Sequence, residues 1–144
     1  MAIATPVFFH FNNQKFNLYN RKRLKAFINS IFKKEGIPLN VIRFIFCSDK
    51  ELLEINNKYL GHDSFTDIIT FDLSDDYKGR TAEVYISIER IRDNSKAYNV
   101  SFSTELHRVF FHGVLHLCGY GDKSKKDKLT MIKKEDYYLS AYFG

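Results

Sequence analysis

The chain has no tryptophan, only two prolines and only two cysteines. Cys47 and Cys118 are far apart, so they do not make the framework of a disulfide-stapled secreted domain. They are expected to be reduced thiols of a cytoplasmic protein. The segment MAIATPVFFHFNNQKF lacks the basic start and long apolar stretch of a secretion signal, and none is expected. No apolar run reaches the length that crosses a bilayer. Pro6 and Pro38 stand alone, and no repeat, low-complexity tract or Pro/Gly-rich linker divides the chain. Residues 1–144 are therefore expected to form a single domain.

What is present fits a folded protein with a polyanionic partner. Hydrophobic residues make up 44% and charged residues 27%, the balance of a globular protein. The formal net charge of +5 favours nucleic acid among possible partners, although charge alone does not establish it. The aromatic residues are phenylalanine and tyrosine spread along the chain, and most are expected in the core.

Periodicity then divides the chain into elements. Val7 to Phe11 reads as a strand ended by Asn12 and Asn13. Asn20 can cap a helix to about Glu35, with Leu24, Phe27, Ile28 and Ile31 on one side and Gly36 as its stop. Val41 to Cys47 is a strand too apolar to face solvent. Ser48 to Glu51 is a capping box that opens a helix carrying Leu52, Leu53 and Ile55. Thr66 to Leu73 and Ala82 to Ile88 read as a hairpin around a polar turn at 75–81, with Val84, Ile86 and Ile88 on one face. A polar helix follows to about Tyr98. Ser103 is the expected cap of a helix through Leu106, Phe110, Val114 and Leu117 that ends at Gly119. Ser124 opens a final helix through Leu129, Ile132 and Leu139. The sum is an α+β fold, with four or five helices on a mixed sheet of about four strands.

Chemistry concentrates in residues 112–122, HGVLHLCGYGD. His112 and His116 are four apart on a helix, so their Cβ atoms lie about 5–6 Å from each other on one face. That spacing lets two imidazoles chelate one ion. Gly119 can reverse the chain and return Asp122 toward them. His-x3-His-x2-Gly-x2-Asp matches the helix-turn of the metzincin zinc proteases except at two positions. Gly113 replaces the glutamate base, and Asp122 replaces the third histidine. Two histidines and a carboxylate form an ordinary catalytic zinc set with an open position, although an acid also suits other divalent metals. Without an acid at 113, a peptidase of that type is disfavoured. His10, His62 and His107 have no such partners and are read as ordinary polar residues.

The motif resembles the signature of the YbeY family of ribosomal RNA maturation endoribonucleases, His-Gly-x-Leu-His-Leu-x-Gly-Tyr-Asp-His. The resemblance continues upstream in TDIITF at 66–71 and AEVYIS at 82–87, and takes in Glu105, Arg108, Met131 and Glu135. It covers roughly residues 50 to 140. It implies a metal-dependent endoribonuclease specific for single strands, acting in maturation of the small-subunit ribosomal RNA 3′ end and in ribosome quality control. By resemblance, the ligands of one zinc ion are His112, His116 and, in place of the family's histidine, Asp122. The family's basic residue before the Thr-Asp strand is missing, because Leu60 occupies its place in Tyr59-Leu60-Gly61.

The expected chemistry is attack of a zinc-bound water on an RNA phosphodiester. Glu105 and Asp67 are the candidate proton-transfer groups, although a buried Glu105 could instead simply pair with Arg108. Arg108 and Lys123, with Lys125 and Lys126, are candidates to hold phosphates, against the alternative that the lysines are only a solvated helix start. The expected partners are ribosomal RNA and ribosomal particles, with no membrane and no small-molecule cofactor. The alternative function is a ribosome assembly factor with a structural metal and little or no nuclease activity.

Overall fold

The structure is a computed structural model that describes residues 5–62, 64–75 and 79–144. Along these residues run β1 (Val7–Phe11), α1 (Arg21–Lys34), β2 (Leu39–Cys47), α2 (Asp49–Leu60) and β3 (Ile68–Asp72). Then come β4 (Arg80–Ser87), α3 (Ile88–Ala97), α4 (Phe102–Leu117) and α5 (Lys125–Phe143). The fold is α+β, as expected.

The four strands make one mixed sheet in the order β1-β2-β4-β3. β1 and β2 are parallel, as are β2 and β4, while β3 returns antiparallel on the edge of β4. The expected hairpin is therefore present, with Leu73 N–H donating to Thr81 O at 2.7 Å. Residues 76–78 of the expected turn lie outside the described residues.

Strand alternation decides what each face of the sheet meets. Phe44, Phe46, Ala82, Val84 and Ile86 point into the main core with α1, α4 and α5. Cys47, Ile69, Phe71 and Tyr85 meet Leu52 and Ile55 of α2 on the other face. Both sides of the sheet are thus covered, which explains why β2 is so apolar. Much of the main core is aromatic: Phe110 of α4 stacks edge-on against Phe44 at 5.0 Å and Phe46 at 5.9 Å between ring centroids. α4 is enclosed most fully, with Leu106, Phe110, Phe111, Val114 and Leu115 all buried.

Four local expectations change. Asn20 stands at the start of α1 but has a left-handed backbone and no side-chain capping bond. Capping from the side chain needs an extended backbone at that position. Ser101, not Ser103, caps α4, accepting from Thr104 N–H at 3.0 Å. The earlier start brings Phe102 into the first turn, where its ring packs on the core. Ile88 is buried, but it begins α3 rather than ending β4, because Ser87 caps that helix through Arg90 N–H. In α5, Leu129 and Ile132 are exposed, and the inward stripe is Met131, Glu135, Tyr138, Leu139 and Tyr142. A buried glutamate in that stripe hid it from a purely apolar reading.

Candidate metal centre

His112 and His116 emerge from the one side of α4 that is not packed. Their rings are 5.0 Å apart between centroids and nearly perpendicular. Beyond Leu117 the helix closes with Tyr120 N–H donating to Leu115 O and Gly119 N–H to His116 O, both at 3.0 Å. Gly119 adopts φ +103°, a conformation that costs a side-chain-bearing residue dearly. The chain reverses there. Asp122 Oδ2 comes within 3.5 Å of His112 Nε2 and 3.3 Å of His116 Nε2. The three donor atoms lie within 4.8 Å of one another.

Gly113 faces the opposite way. A Cβ placed there would stand 2.9 Å from Ile68 Cδ1 and 3.4 Å from Val84 Cγ1. α4 lies so close to β3 and β4 at this point that the position has no room for a long side chain. The missing glutamate is therefore explained by packing, since a residue at 113 points into the sheet.

The histidines are held from behind. His112 Nδ1 lies 2.7 Å from Glu135 Oε2. A carboxylate can only accept, so Nδ1 carries a proton, and Nε2 is the nitrogen on the side of Asp122 that would serve a metal. Arg108 holds Glu135 in turn, donating to its Oε1 at 2.9 Å and to Asp136 Oδ1 at 2.6 Å. The return loop is fastened separately. Tyr120 Oη donates to Glu35 Oε1 at 2.6 Å, and Tyr138 Oη donates to Glu35 Oε2. Lys134 Nζ reaches the same carboxylate at 3.2 Å. Burial alone would raise the Glu35 carboxyl, but these three donors outweigh it and hold it below its usual value. One acid at the end of α1 thus ties the loop bearing Asp122 to the helix bearing Glu135.

Negative charge is crowded here. Burial, then the neighbouring Asp67, pushes Glu105 up to about 7, with Arg108 only partly opposing. Burial also raises Asp67, against the lowering effect of His112. Burial disfavours charge on His112, yet Glu135, Asp122 and Asp67 together raise it. Acids crowded in this way around two imidazoles favour positive charge at this point.

The cluster opens into a cleft of about 660 Å³ lined by His112, His116, Asp122, Asp67, Asp72 and residues of the α2–β3 connection. Of the sequence candidates, Asp67 lines this cleft, while Glu105 is buried in α4 and lines neither it nor the adjoining pocket around Arg108. Arg108 borders that second pocket with both arms engaged by acids, and Glu105 makes no direct ion pair with it among the described residues. Lys123 is exposed beside Asp122 and is not part of the cleft wall. Three residues escaped the sequence reading as parts of the site: Glu35 and Glu135, which act from other helices, and His62, which lines the cleft. Spacing cannot reveal partners from distant elements.

The geometry defines a class first: an α+β fold with a three-donor cluster, open to a cleft, that could hold a metal ion. The family follows from comparison, since residues 9–143 match the family described as Endoribonuclease YbeY and the chain belongs to it. It is 43% identical over 135 residues to Endoribonuclease YbeY of Cytophaga hutchinsonii, covering 93% of this chain and 94% of that one. It is 48% identical over 117 residues to that of Flavobacterium psychrophilum, covering 80% and 81%. The solution structure of TM1509 from Thermotoga maritima matches with a TM-score of 0.64 at 29% identity, covering 96% of this chain and 89% of that one.

Proposed function

We propose that this chain is a zinc-dependent endoribonuclease that cuts single-stranded RNA, acting in the cytoplasm on the 3′ end of small-subunit ribosomal RNA during maturation and ribosome quality control. The observation that carries the reading is the convergence of His112, His116 and Asp122 at the wall of an open cleft. Membership of a family described as endoribonucleases supports it.

The donor set fits zinc: two imidazole nitrogens and one carboxylate oxygen, with Glu135 fixing the tautomer of His112. A bound zinc ion supplies Lewis acidity, bringing the pKa of water toward neutrality and drawing charge from a phosphoryl oxygen. The remaining work falls to the chain. Asp67 lines the cleft beside the cluster, and its raised carboxyl is assigned to proton transfer. Glu105, buried and repelled by Asp67, is pushed up to about 7 and is assigned as a proton reserve. Arg108 positions Glu135, and through it His112. Lys123 is assigned to the RNA backbone as it leaves the cleft.

The reading of a structural metal in an assembly factor without nuclease activity gains no support from a cluster that borders an open cleft. The test is cleavage of a single-stranded RNA and of a duplex of the same sequence. Zinc-loaded protein should cut the single strand, lose that activity on chelation and regain it with zinc. Full cleavage by the chelated, metal-free protein would contradict the proposal.

A further inference from the structure

Among its described lining residues, the cleft contains neither lysine nor arginine, while Asp67, Asp72 and Asp122 all border it. Phosphate attraction by side chains therefore cannot be what holds RNA against this wall. The same cleft is also lined by Leu60 at the end of α2 and by His62, Ser64 and Phe65 of the α2–β3 connection. Phe65 is 55% exposed. A lone exposed phenylalanine is ordinary, but this one shares a cleft with a metal cluster and has a prepared backing.

The Arg90 guanidinium lies over the Phe65 ring, 5.1 Å from its centroid. That guanidinium is itself fixed by Asp49, with Nε at 3.3 Å and Nη2 at 2.6 Å from its two oxygens. Described residues of the connection are held too. Asn56, only 4% exposed, donates from Nδ2 to Ser64 O at 2.9 Å, and His62 N–H donates to Asn56 O at 3.2 Å. One face of the ring is thus occupied by a held cation and the ring borders the cleft. A flat, apolar, pre-positioned surface in an otherwise uncharged or acidic wall matches the π-face of an unpaired base.

We propose that Phe65 is a base-stacking platform, which seats one unpaired nucleobase of the RNA against the cleft wall and so places the neighbouring phosphodiester at the His112, His116 and Asp122 cluster. The platform rests on the reading that RNA is the substrate. It accounts for selection of single strands, because a base must leave its stack to reach the ring. It also shows how a chain with Leu60 in place of a family cation can still hold its substrate.

The chain has no tryptophan but nine tyrosines, so a Phe65→Trp protein carries a single tryptophan, at the platform, that can be excited apart from the tyrosines. With zinc bound, a single-stranded oligo(A) RNA should quench that fluorescence, and an abasic strand of equal length and charge should not. In cleavage, Phe65→Ala should raise KM roughly tenfold or more, with zinc content within about twofold of the parent, and Phe65→Tyr should restore KM. Equal quenching by both strands, no quenching, or an unchanged KM in Phe65→Ala would each overturn the platform. The two readings fail separately. RNA cleavage without base-dependent quenching removes the platform and leaves the nuclease. Base-dependent quenching by a protein that cuts no RNA removes the nuclease and leaves the platform.

Discussion

Gly113 shows how one residue can exclude a chemistry. A Cβ there would press on the side chains of Ile68 and Val84, so a glutamate would have to bury a carboxylate against the sheet. Gly113→Glu should cost about 3 kcal/mol or more of stability and create no peptidase. A thermal melt checks this, and an unchanged Tm would show that the helix can move away. Glu105 makes a second prediction. Its folded carboxyl titrates at about 7 against an ordinary value of 4.5. The folded state then keeps a proton that the unfolded chain has lost. Its contribution is present below about 4.5 and disappears as pH rises toward 7, up to about 3 kcal/mol in the metal-free protein. Glu105→Gln should therefore gain Tm over the parent as pH rises from 5 to 7.5. A Tm difference independent of pH would refute the assignment. At this scale the convergence of His112, His116 and Asp122 was legible in the sequence, because they lie on one helix and its turn. Spacing gave neither Glu135 nor Glu35 a place at the site, since their partners are 23 and 85 residues away.

At the scale of elements, the site depends on α5 and the end of α1 as much as on α4. Glu135 orients His112, so Glu135→Ala should weaken zinc binding by roughly 10- to 100-fold. Competition with a chelator of known affinity measures this, and unchanged affinity would mean that Glu135 is only a partner of Arg108. Glu35 receives the hydroxyls of Tyr120 and Tyr138. Glu35→Gln and Tyr120→Phe should each cost about 1 kcal/mol, and the double variant should cost less than their sum by a similar amount. Additive costs would mean that the bond does not hold the loop. The start of α2 was legible because Ser48 and Glu51 form a closed local pattern. The start of α4 was displaced by two residues because two serines compete and only packing of Phe102 chooses between them. Of the inward stripe of α5 only Leu139 stood out in the sequence, because the stripe otherwise holds Met131, Glu135 and tyrosines, while apolar Leu129 and Ile132 face water.

For the whole molecule, the mixed sheet and its helices followed from periodicity, since the alternation in β4 and the one-sided spacing in α1 each serve a face that is buried. Strand order did not, because the β1-β2-β4-β3 arrangement depends on contacts between distant segments. The charge of +5 is borne largely away from a cleft whose described lining has no lysine or arginine. Binding of single-stranded RNA should therefore weaken with salt only gently, as for about three phosphates or fewer. A slope matching six or more contacts would place the main RNA surface elsewhere. The central claim is that one metal, held by His112, His116 and Asp122, makes this chain a nuclease. The most direct measurement is zinc content per chain beside the rate of single-stranded RNA cleavage, for the parent and for His116→Ala. The parent should hold about one zinc per chain and cut RNA, and His116→Ala should remain folded while losing both together. Full zinc and full cleavage in His116→Ala would contradict the account.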